Sequence, residues 1–367
     1  MRNGLDVRVP VSGQISGDEE INALIEVART NHWAGGRKVV EFEHSFAKFH
    51  GYKYGIFTNS GSSANLLAIG GHDWRYPVKV SACSFPTTVN PIIQSNYTPY
   101  FVDIEIGSYL PKHPVDVGCH VLGNYCTSGA VIDSCDGCFP GEDTRTATFS
   151  FFPAHFMSTG EGGMVQTNDT SEFMRLRSMR DWGRDCGCEP GHDDTCGHRF
   201  DYTIDGVQYD HKYTYSTIGY NLKATDLQAA VGLEQLKKLP GFLDKRRANF
   251  KRLYENLADS EDWFYLPISY KPNTAWFGFP LTIREDAGFT RKEITHYLED
   301  NGVATRLMFG GNITRQPAYK NVDYDADPLP NADLVFSNGF WIGCWHGLDF
   351  DQLDYASERI YEFLSKK

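Results

Sequence analysis

The sequence predicts an α/β fold: a large domain built on a largely parallel sheet, then a smaller C-terminal α+β domain. Two observations carry this. Short apolar runs, each closing in polar residues, alternate with segments of helical periodicity through about residue 180. Beyond residue 225 the pattern becomes one long amphipathic stretch followed by mixed short elements. The domains are placed at 1–240 and 241–367.

In order along the chain, "GDEEINALIEVARTNHW" opens with acidic residues and sets Ile21, Leu24, Ile25 and Ala28 at helical spacing. "EFEHSFAKFHG" reads as a second helix, stopped by Gly51. "YGIFTNSGSSANLLAIGG" runs from a strand through Ser60-Gly61-Ser62-Ser63 into an apolar helix. "VKVSACSF", "YFVDIEI", "CHVLGN" and "GAVIDSCD" read as buried strands, and ligands of such sheets gather at the carboxyl ends of the strands. "TFSFFPAHFMSTGEGGMV", residues 148–165, reads as a strand, an irregular turn with His155 at its apex, and a glycine-rich return into another strand. "TDLQAAVGLEQLKKLPGFLDKRRANFKRLYENLA" reads as a long helix interrupted near Pro240. One link is short. Only a few residues separate "HVLGN" from "AVIDSCD", whereas a parallel crossover needs about a dozen or more. Either those strands are not neighbours, or a connecting helix is missing.

A net charge of −12 argues against a nucleic-acid partner, which requires a basic face. No run has the apolar length of a membrane span, and "MRNGLDVRVPVSGQ" lacks the apolar core of a signal peptide, so a cytoplasmic protein is expected. Nine cysteines is an odd number, and seven of them fall between Cys119 and Cys196. In a reducing compartment that points to metal binding or to burial as small hydrophobes, rather than to disulfides.

Several residues are placed to carry chemistry, each beside a plainer reading. Ser60-Gly61-Ser62-Ser63 either caps a helix or cradles an anion with its N–H groups and hydroxyls. Phe85 is either core or an aromatic face for a flat ring. Asp133 either caps a helix or holds a protonated ring nitrogen. His155 is either a turn-capping residue or a general base.

In this order the features resemble the DegT/DnrJ/EryC1/StrS family, sugar aminotransferases that use pyridoxal phosphate on an aspartate-aminotransferase-like fold (fold type I). The resemblance runs from "WAGGRKVVEFEHSFAKFHGYKYGIFTNSGSSAN" through "GYNLKATDLQAAVGLEQL" to "ATRLMFGGNITRQPAY". It implies that Ser62, Ser63 and Ser150 contact the cofactor phosphate, that Phe85 stacks on the ring, that Asp133 pairs with the ring nitrogen and that Asp136 lies near the ring hydroxyl. It also implies a homodimer in which Asn221 reaches the neighbouring subunit's phosphate.

At the position of the family's Schiff-base lysine stands His155, and no lysine occurs between Lys112 and Lys212. Lys223, beside Asn221, is the nearest substitute, but it is not at the Schiff-base position. "SFFPAH" followed by "GEGG" resembles the histidine-variant branch, 3-dehydrases of deoxysugar biosynthesis such as CDP-6-deoxy-4-keto-glucose 3-dehydrase, which bind pyridoxamine phosphate (PMP). Imidazole takes protons at neutral pH and cannot form an imine, which suits removal of a proton from the cofactor's C4′ carbon.

"DCGCEPGHDDTC" sets Cys186, Cys188 and Cys196 in a C-x-C-x₇-C spacing unlike the C-x₂-C pairs of zinc ribbons. Tight thiolate clusters suit an iron–sulfur centre, with zinc the alternative. The iron–sulfur 3-dehydrases carry this run and an upstream cysteine, so the resemblance implies a [2Fe–2S] cluster on Cys135, Cys186, Cys188 and Cys196, with Cys138 competing for the fourth position. A separate NAD(P)H-dependent flavin and iron–sulfur reductase is then the implied electron donor. Arg306 and Arg315, in "ATRLMFGGNITRQPAY", are expected on the diphosphate of a nucleotide-sugar substrate, or else on surface carboxylates.

The function expected is removal of the C3 hydroxyl from a nucleotide-linked 4-keto-6-deoxyhexose. The alternatives are a PMP-dependent dehydratase or aminotransferase without a working cluster, and a non-catalytic relative that holds a nucleotide sugar or zinc.

Overall fold

The computed structural model describes residues 8–138, 146–189, 194–269, 271 and 274–367. The first strands are β1 (Tyr54–Thr58), β2 (Val78–Ser81), β3 (Pro99–Val102), β4 (Val117–Cys119), β5 (Val131–Asp133), β6 (Thr146–Ser150) and β7 (Gly163–Thr167). They form one sheet in the order β1-β7-β6-β5-β4-β2-β3. Its middle is parallel, while β7 runs antiparallel between β6 and β1. The carboxyl ends of β1, β2, β4, β5 and β6 therefore share one edge, where a sheet of this kind gathers its ligands. Central strands are buried throughout, save Ser150 at the end of β6, as expected when helices cover both faces.

Helices α1 (Asp18–Arg29), α2 (Arg37–His50), α3 (Gly61–Gly70), α4 (Pro86–Gln94) and α5 (Thr170–Arg180) belong to this part. α2 ends on Gly51 at φ 78°, the left-handed stop its sequence predicts. α3 is apolar all round and lies against β6 and β7.

The short link is real. β4 and β5 are parallel neighbours, yet residues 120–130 between them hold no helix. The chain turns back through Leu122 and Gly123 at φ 49° and 98°, with Val121 bridged to Asn124, and leaves through Gly129 at φ 136°. At Gly123 a side chain would lie 2.7 Å from the carbonyl oxygen of Ala275, so glycine serves both the turn and the close approach.

An exposed hairpin, β8 (Tyr202–Ile204) and β9 (Val207–Tyr209), leads to helix α6 (Asp226–Asn256). Thr225 and Gln228 form a capping box at its start. The expected interruption does not occur: α6 runs through Pro240 as one helix of 31 residues. A proline costs the ladder one N–H, but Leu239, Leu243, Arg246, Asn249 and Leu253 keep one buried face across it. The division expected at 240/241 thus falls inside α6.

A second sheet follows, built from β10 (Phe264–Tyr265), β11 (Gly278–Ile283), β12 (Thr305–Leu307) and β14 (Gly339–Gly343) in the antiparallel order β10-β11-β14-β12. Helices α7 (Arg291–Asp300), α8 (Pro330–Asn338) and α9 (Phe350–Leu364) accompany it. Strand β13 (Asp325–Ala326) leaves this region and extends the large sheet beside β3.

Candidate functional site

The strand ends meet the second sheet around a cavity of about 670 Å³. Four sequence-predicted elements arrive from the large sheet. After β1, Ser60 caps α3 by accepting from the Ser63 amide at 3.1 Å, while Gly61 and Ser62 face the cavity. The cap reading is met by Ser60, which lines the cavity together with Gly61 and Ser62. Gly61 is required here, because a Cβ would stand 2.6 Å from that of Ser150. Its absence lets the helix start, with its unpaired N–H groups, close against Ser150 at the end of β6. Ser63 does not face the cavity; its hydroxyl donates to Asn59 Oδ1 at 2.6 Å.

Phe85, after β2, is 47% exposed on the cavity wall with its ring perpendicular to that of Phe309, so it is not core. Asp133 ends β5 nearly buried. Its Oδ2 accepts from Asn65 Nδ2 and from Thr88 Oγ1, both at 2.7 Å, and Oδ1 accepts from the Cys135 amide at 3.1 Å. Three donors fix this carboxylate at the cavity floor. Asp136 stands beside it, and burial together with the charge of Asp133 pushes its carboxyl well above the usual range.

His155 lies in the turn between β6 and β7, which is closed by Phe151 N to Gly162 O at 2.9 Å and His155 N to Phe152 O at 2.9 Å. Its ring faces the cavity with Nδ1 3.7 Å from Asp136 Oδ1, and that nitrogen finds no hydrogen-bond partner among the described residues. Burial lowers the imidazole to about 4, with Arg246 adding to the effect and the Cys135 main chain opposing it. Both shifts favour the uncharged pair, a protonated carboxyl beside a neutral imidazole, and a base must be neutral. No lysine lines the cavity among the described residues. Lys223 sits elsewhere, bonded to Asn221 Oδ1 at 2.6 Å and stacked over the Trp182 ring.

Of the two arginines, Arg306 lines the cavity, and Arg315 does not. The Arg315 guanidinium is held bidentate by Asp333 at 2.7 and 2.6 Å, the carboxylate alternative of the sequence reading. Asn221 also lies outside the cavity of its own chain, in a bridge with Asp181.

The cysteines divide. Cys135 lines the cavity, packed against Gly61, and its thiol is pushed well above its usual value by burial and by Asp133 and Asp136. Cys138 is buried with Sγ 3.8 Å from His50 Nε2, turned into the core against α2. Cys186 and Cys188 gather instead with His211, one ligand atom of each within 4.8 Å of the others. Cys196 Sγ stands 3.4 Å from His211 Nε2.

Sequence reading did not single out Asn65, Thr88, Arg246 and Phe277, nor Glu161 and Trp341 within the stretches "GEGG" and "FWIGCWHGL" that resemble the family's. Glu161, Phe277 and Trp341 line the cavity, and Arg246 donates to the main-chain oxygens of His155 at 3.0 Å and Phe277 at 2.9 Å. The whole arrangement offers hydroxyls and helix N–H groups for an anion, an aromatic wall and a fixed carboxylate for a flat ring, and a neutral base at its edge. The orphaned Nδ1 and the glycine-made cradle fit an anionic ring-bearing cofactor.

The model of the DegT/DnrJ/EryC1/StrS aminotransferase family matches residues 14–115 and 130–361. The gap between these segments spans β4 and the helix-less link after it. A dTDP-4-dehydro-2,6-dideoxy-D-glucose 3-dehydratase of Saccharopolyspora spinosa is 40% identical over 97% of this chain and 86% of its own. The lipopolysaccharide biosynthesis protein RfbH of Salmonella typhimurium is 38% identical over 97% of this chain and 91% of its own. Among solved structures, the Escherichia coli GDP-4-keto-6-deoxy-D-mannose 3-dehydratase with bound hydrated pyridoxal phosphate (PLP) superposes with a TM-score of 0.85. It is 25% identical, and the match covers 97% of this chain and 100% of that one.

Proposed function

This chain belongs to the DegT/DnrJ/EryC1/StrS aminotransferase family, and we propose that it is a nucleotide-sugar 3-dehydratase. The reaction removes the C3 hydroxyl of a nucleotide-linked 4-keto-6-deoxyhexose. The observation that carries this reading is His155: a largely buried imidazole, its basicity lowered by desolvation, at a cavity that no lysine lines among the described residues. A family aminotransferase needs an amine there, and a ring that only moves protons suits elimination instead.

PMP fits the donor set. Gly61, Ser62 and Ser150 would hold its phosphate, Phe85 would face its ring, Asp133 would meet its ring nitrogen, and Asp136 its hydroxyl. When bound, it supplies an amine for the sugar's 4-ketone and a ring that accepts electrons. The protein's part is placement and proton traffic. Asn65 and Thr88 hold Asp133 in place, and His155 takes the proton from C4′. Arg306 reaches toward the diphosphate, and Trp341 and Phe277 close the apolar side of the cavity and exclude water.

Loss of water at C3 followed by uptake of two electrons and two protons exchanges the hydroxyl for hydrogen. The gathering of Cys186, Cys188 and His211, with Cys196 next to His211, supports a [2Fe–2S] centre as the route for those electrons, fed by an NAD(P)H-dependent reductase. A homodimer is part of this reading, supported by Asn221 lying outside its own cavity. Among the described residues no helix is long and apolar enough to cross a membrane.

A second reading has one specific support. A related 3-dehydratase structure carries a trapped PLP–glutamate adduct, so regeneration by glutamate without a cluster is the rival source of reducing power. The test is mass analysis of product from CDP-, GDP- and dTDP-linked 4-keto-6-deoxyhexoses with PMP. The proposal expects a product lighter by one oxygen, dependent on a reductase and abolished in His155→Asn. Turnover with glutamate alone favours the rival, and an undiminished rate in His155→Asn overturns both.

A further inference from the structure

Four of the five N–H donors of Arg246 meet main-chain oxygens. Nη1 donates to Trp276 at 3.3 Å and to Phe277 at 2.9 Å, and Nη2 to Ala154 at 3.5 Å and to His155 at 3.0 Å. The fifth, Nε–H, is buried and has no partner among the described residues. A donor left unpaired at such depth is costly.

Two more orphaned atoms lie on the same flank of α6. Asn249 stands one turn on from Arg246. Its Nδ2 donates to the main-chain oxygens of Trp345 at 2.8 Å and Leu348 at 3.3 Å, which leaves its buried Oδ1 unpaired among the described residues. His346 belongs to that same loop, and its ring stacks on Phe242, one turn before Arg246, at 4.0 Å and 19°. Its Nδ1 is the third buried atom of this kind. Residues 242, 246 and 249 share one face of α6 by the helical repeat, so the loop sets His346 beside the Arg246 side chain.

The three atoms are chemically complementary. Arg246 Nε can only donate, and Asn249 Oδ1 can only accept. Burial, with the charge of Arg246 adding to it, lowers the His346 imidazole to about 3, so the ring is neutral, and with its proton on Nε2 its Nδ1 accepts. One donor and two acceptors match one water, which accepts once and donates twice.

We propose that a buried water bonded to Arg246 Nε, Asn249 Oδ1 and His346 Nδ1 fixes the guanidinium plane, which makes Asn249 and His346 positioning residues for His155. Neither residue lines the cavity. They act through Arg246, whose Nη2 holds the main-chain oxygen of His155. The water site stands on geometry; its effect on turnover rests on the proposed role of His155 as base.

The experiment pairs crystal structures of the full chain, at a resolution that shows ordered water, with steady-state kinetics of the PMP-loaded protein on the nucleotide-linked 4-keto-6-deoxyhexoses. Wild type is expected to show one water within hydrogen-bond reach of all three atoms. His346→Phe keeps the stacked ring and removes the acceptor; it is expected to lose the water and to shift the Arg246 plane and the His155 ring. Its kcat should fall about tenfold with KM changed by less than about twofold, because only placement of the base is disturbed. His346→Asn, which returns an acceptor, should recover the water and most of kcat, whereas a merely structural role would leave it as impaired as His346→Phe. His346→Leu is the second variant in case the phenylalanine one fails to fold. A direct bond from Arg246 Nε to either side chain, or no water in wild type, overturns the site. An unchanged kcat in His346→Phe, or no recovery in His346→Asn, overturns the positioning role. A wild type without turnover overturns the proposed function instead, and an unmoved His155 ring in the His346→Phe structure then overturns the positioning role.

Discussion

Arg246 donates from Nη2 to the main-chain oxygen of His155 at 3.0 Å and from Nη1 to that of Phe277 at 2.9 Å. It is fully buried, and its described hydrogen bonds all go to main-chain oxygens, so a single planar fork ties the His155 turn to the second sheet. Lysine keeps the charge but cannot span those carbonyls. Arg246→Lys is expected to cost about 2–4 kcal/mol of stability, from lost charged hydrogen bonds and orphaned carbonyls. Turnover should fall more than substrate affinity. Denaturant melts and steady-state kinetics check both, and an unchanged midpoint contradicts the expectation.

Asn65 links Asp133 to Thr148: its amide donates to Asp133 Oδ2 at 2.7 Å, and its carbonyl accepts from the Thr148 hydroxyl. Removing it leaves a buried hydroxyl and a carboxylate each short of a partner, at about 1–3 kcal/mol. Asn65→Ala should weaken binding of PMP about tenfold or more while the far-UV spectrum stays native. Asn65→Asp should be worse, since a second buried carboxylate competes with Asp133 for the same charge. Titration of the cofactor's fluorescence reads the affinity.

The placement of Asp133, His155 and the Ser60–Ser63 turn was legible because polar residues there terminate apolar runs, which is what a strand end at a ligand edge looks like. Asn65 was not singled out, although one amide inside an apolar helix is itself a signal of a buried partner. Arg246 sits between Lys245 and Arg247, which reads as a solvated charge run. Its spacing from Leu239, Leu243 and Leu253 places it on the buried face, so the signal was present and was outweighed by composition. His211 follows Cys196 by 15 residues, and only the folding back of the intervening hairpin brings the two together. That information is tertiary, as is the continuity of α6 through Pro240.

Three desolvated histidines should make the fold acid-sensitive. Burial lowers His50 and His155 to about 4 and His346 to about 3. An unfolded histidine titrates near about 6.5, so below that pH the unfolded chain binds more protons than the fold does. Their contribution is complete above the unfolded value and is lost as pH falls toward the folded ones. Asp136 acts in the opposite sense: its raised carboxyl contributes below the unfolded aspartate value and loses that contribution as pH climbs through the raised one. Melting temperature should therefore fall between pH 7 and pH 5, and His50→Phe should flatten the slope by up to about 1.4 kcal/mol per pH unit. With Arg246 as its charged neighbour and Asp136 pushed toward its uncharged form, His155 is held well below 6.5, so the acid limb of kcat should lie below about pH 5.5. A midpoint at 6.5 in short assays would mean that the imidazole is not desolvated.

Arg306 and Arg315 separate binding from packing. Arg306 on β12 stands directly across from Trp341 on β14, and both line the cavity. The Arg306 guanidinium bonds the main-chain oxygen of Thr305 at 2.7 Å and makes no ion pair among the described residues, which leaves most of its five donors for a ligand. Arg315 spends its fork on Asp333, which also accepts from Asn312. Arg306→Ala should raise KM for the nucleotide sugar about ten- to a hundredfold with kcat little changed, and should weaken binding of the free nucleoside diphosphate in calorimetry. Arg315→Ala should leave KM alone and lower stability by about 1 kcal/mol or less, as an exposed ion pair does. Equal effects on KM from the two variants would mean that the diphosphate lies between them, outside this cavity wall.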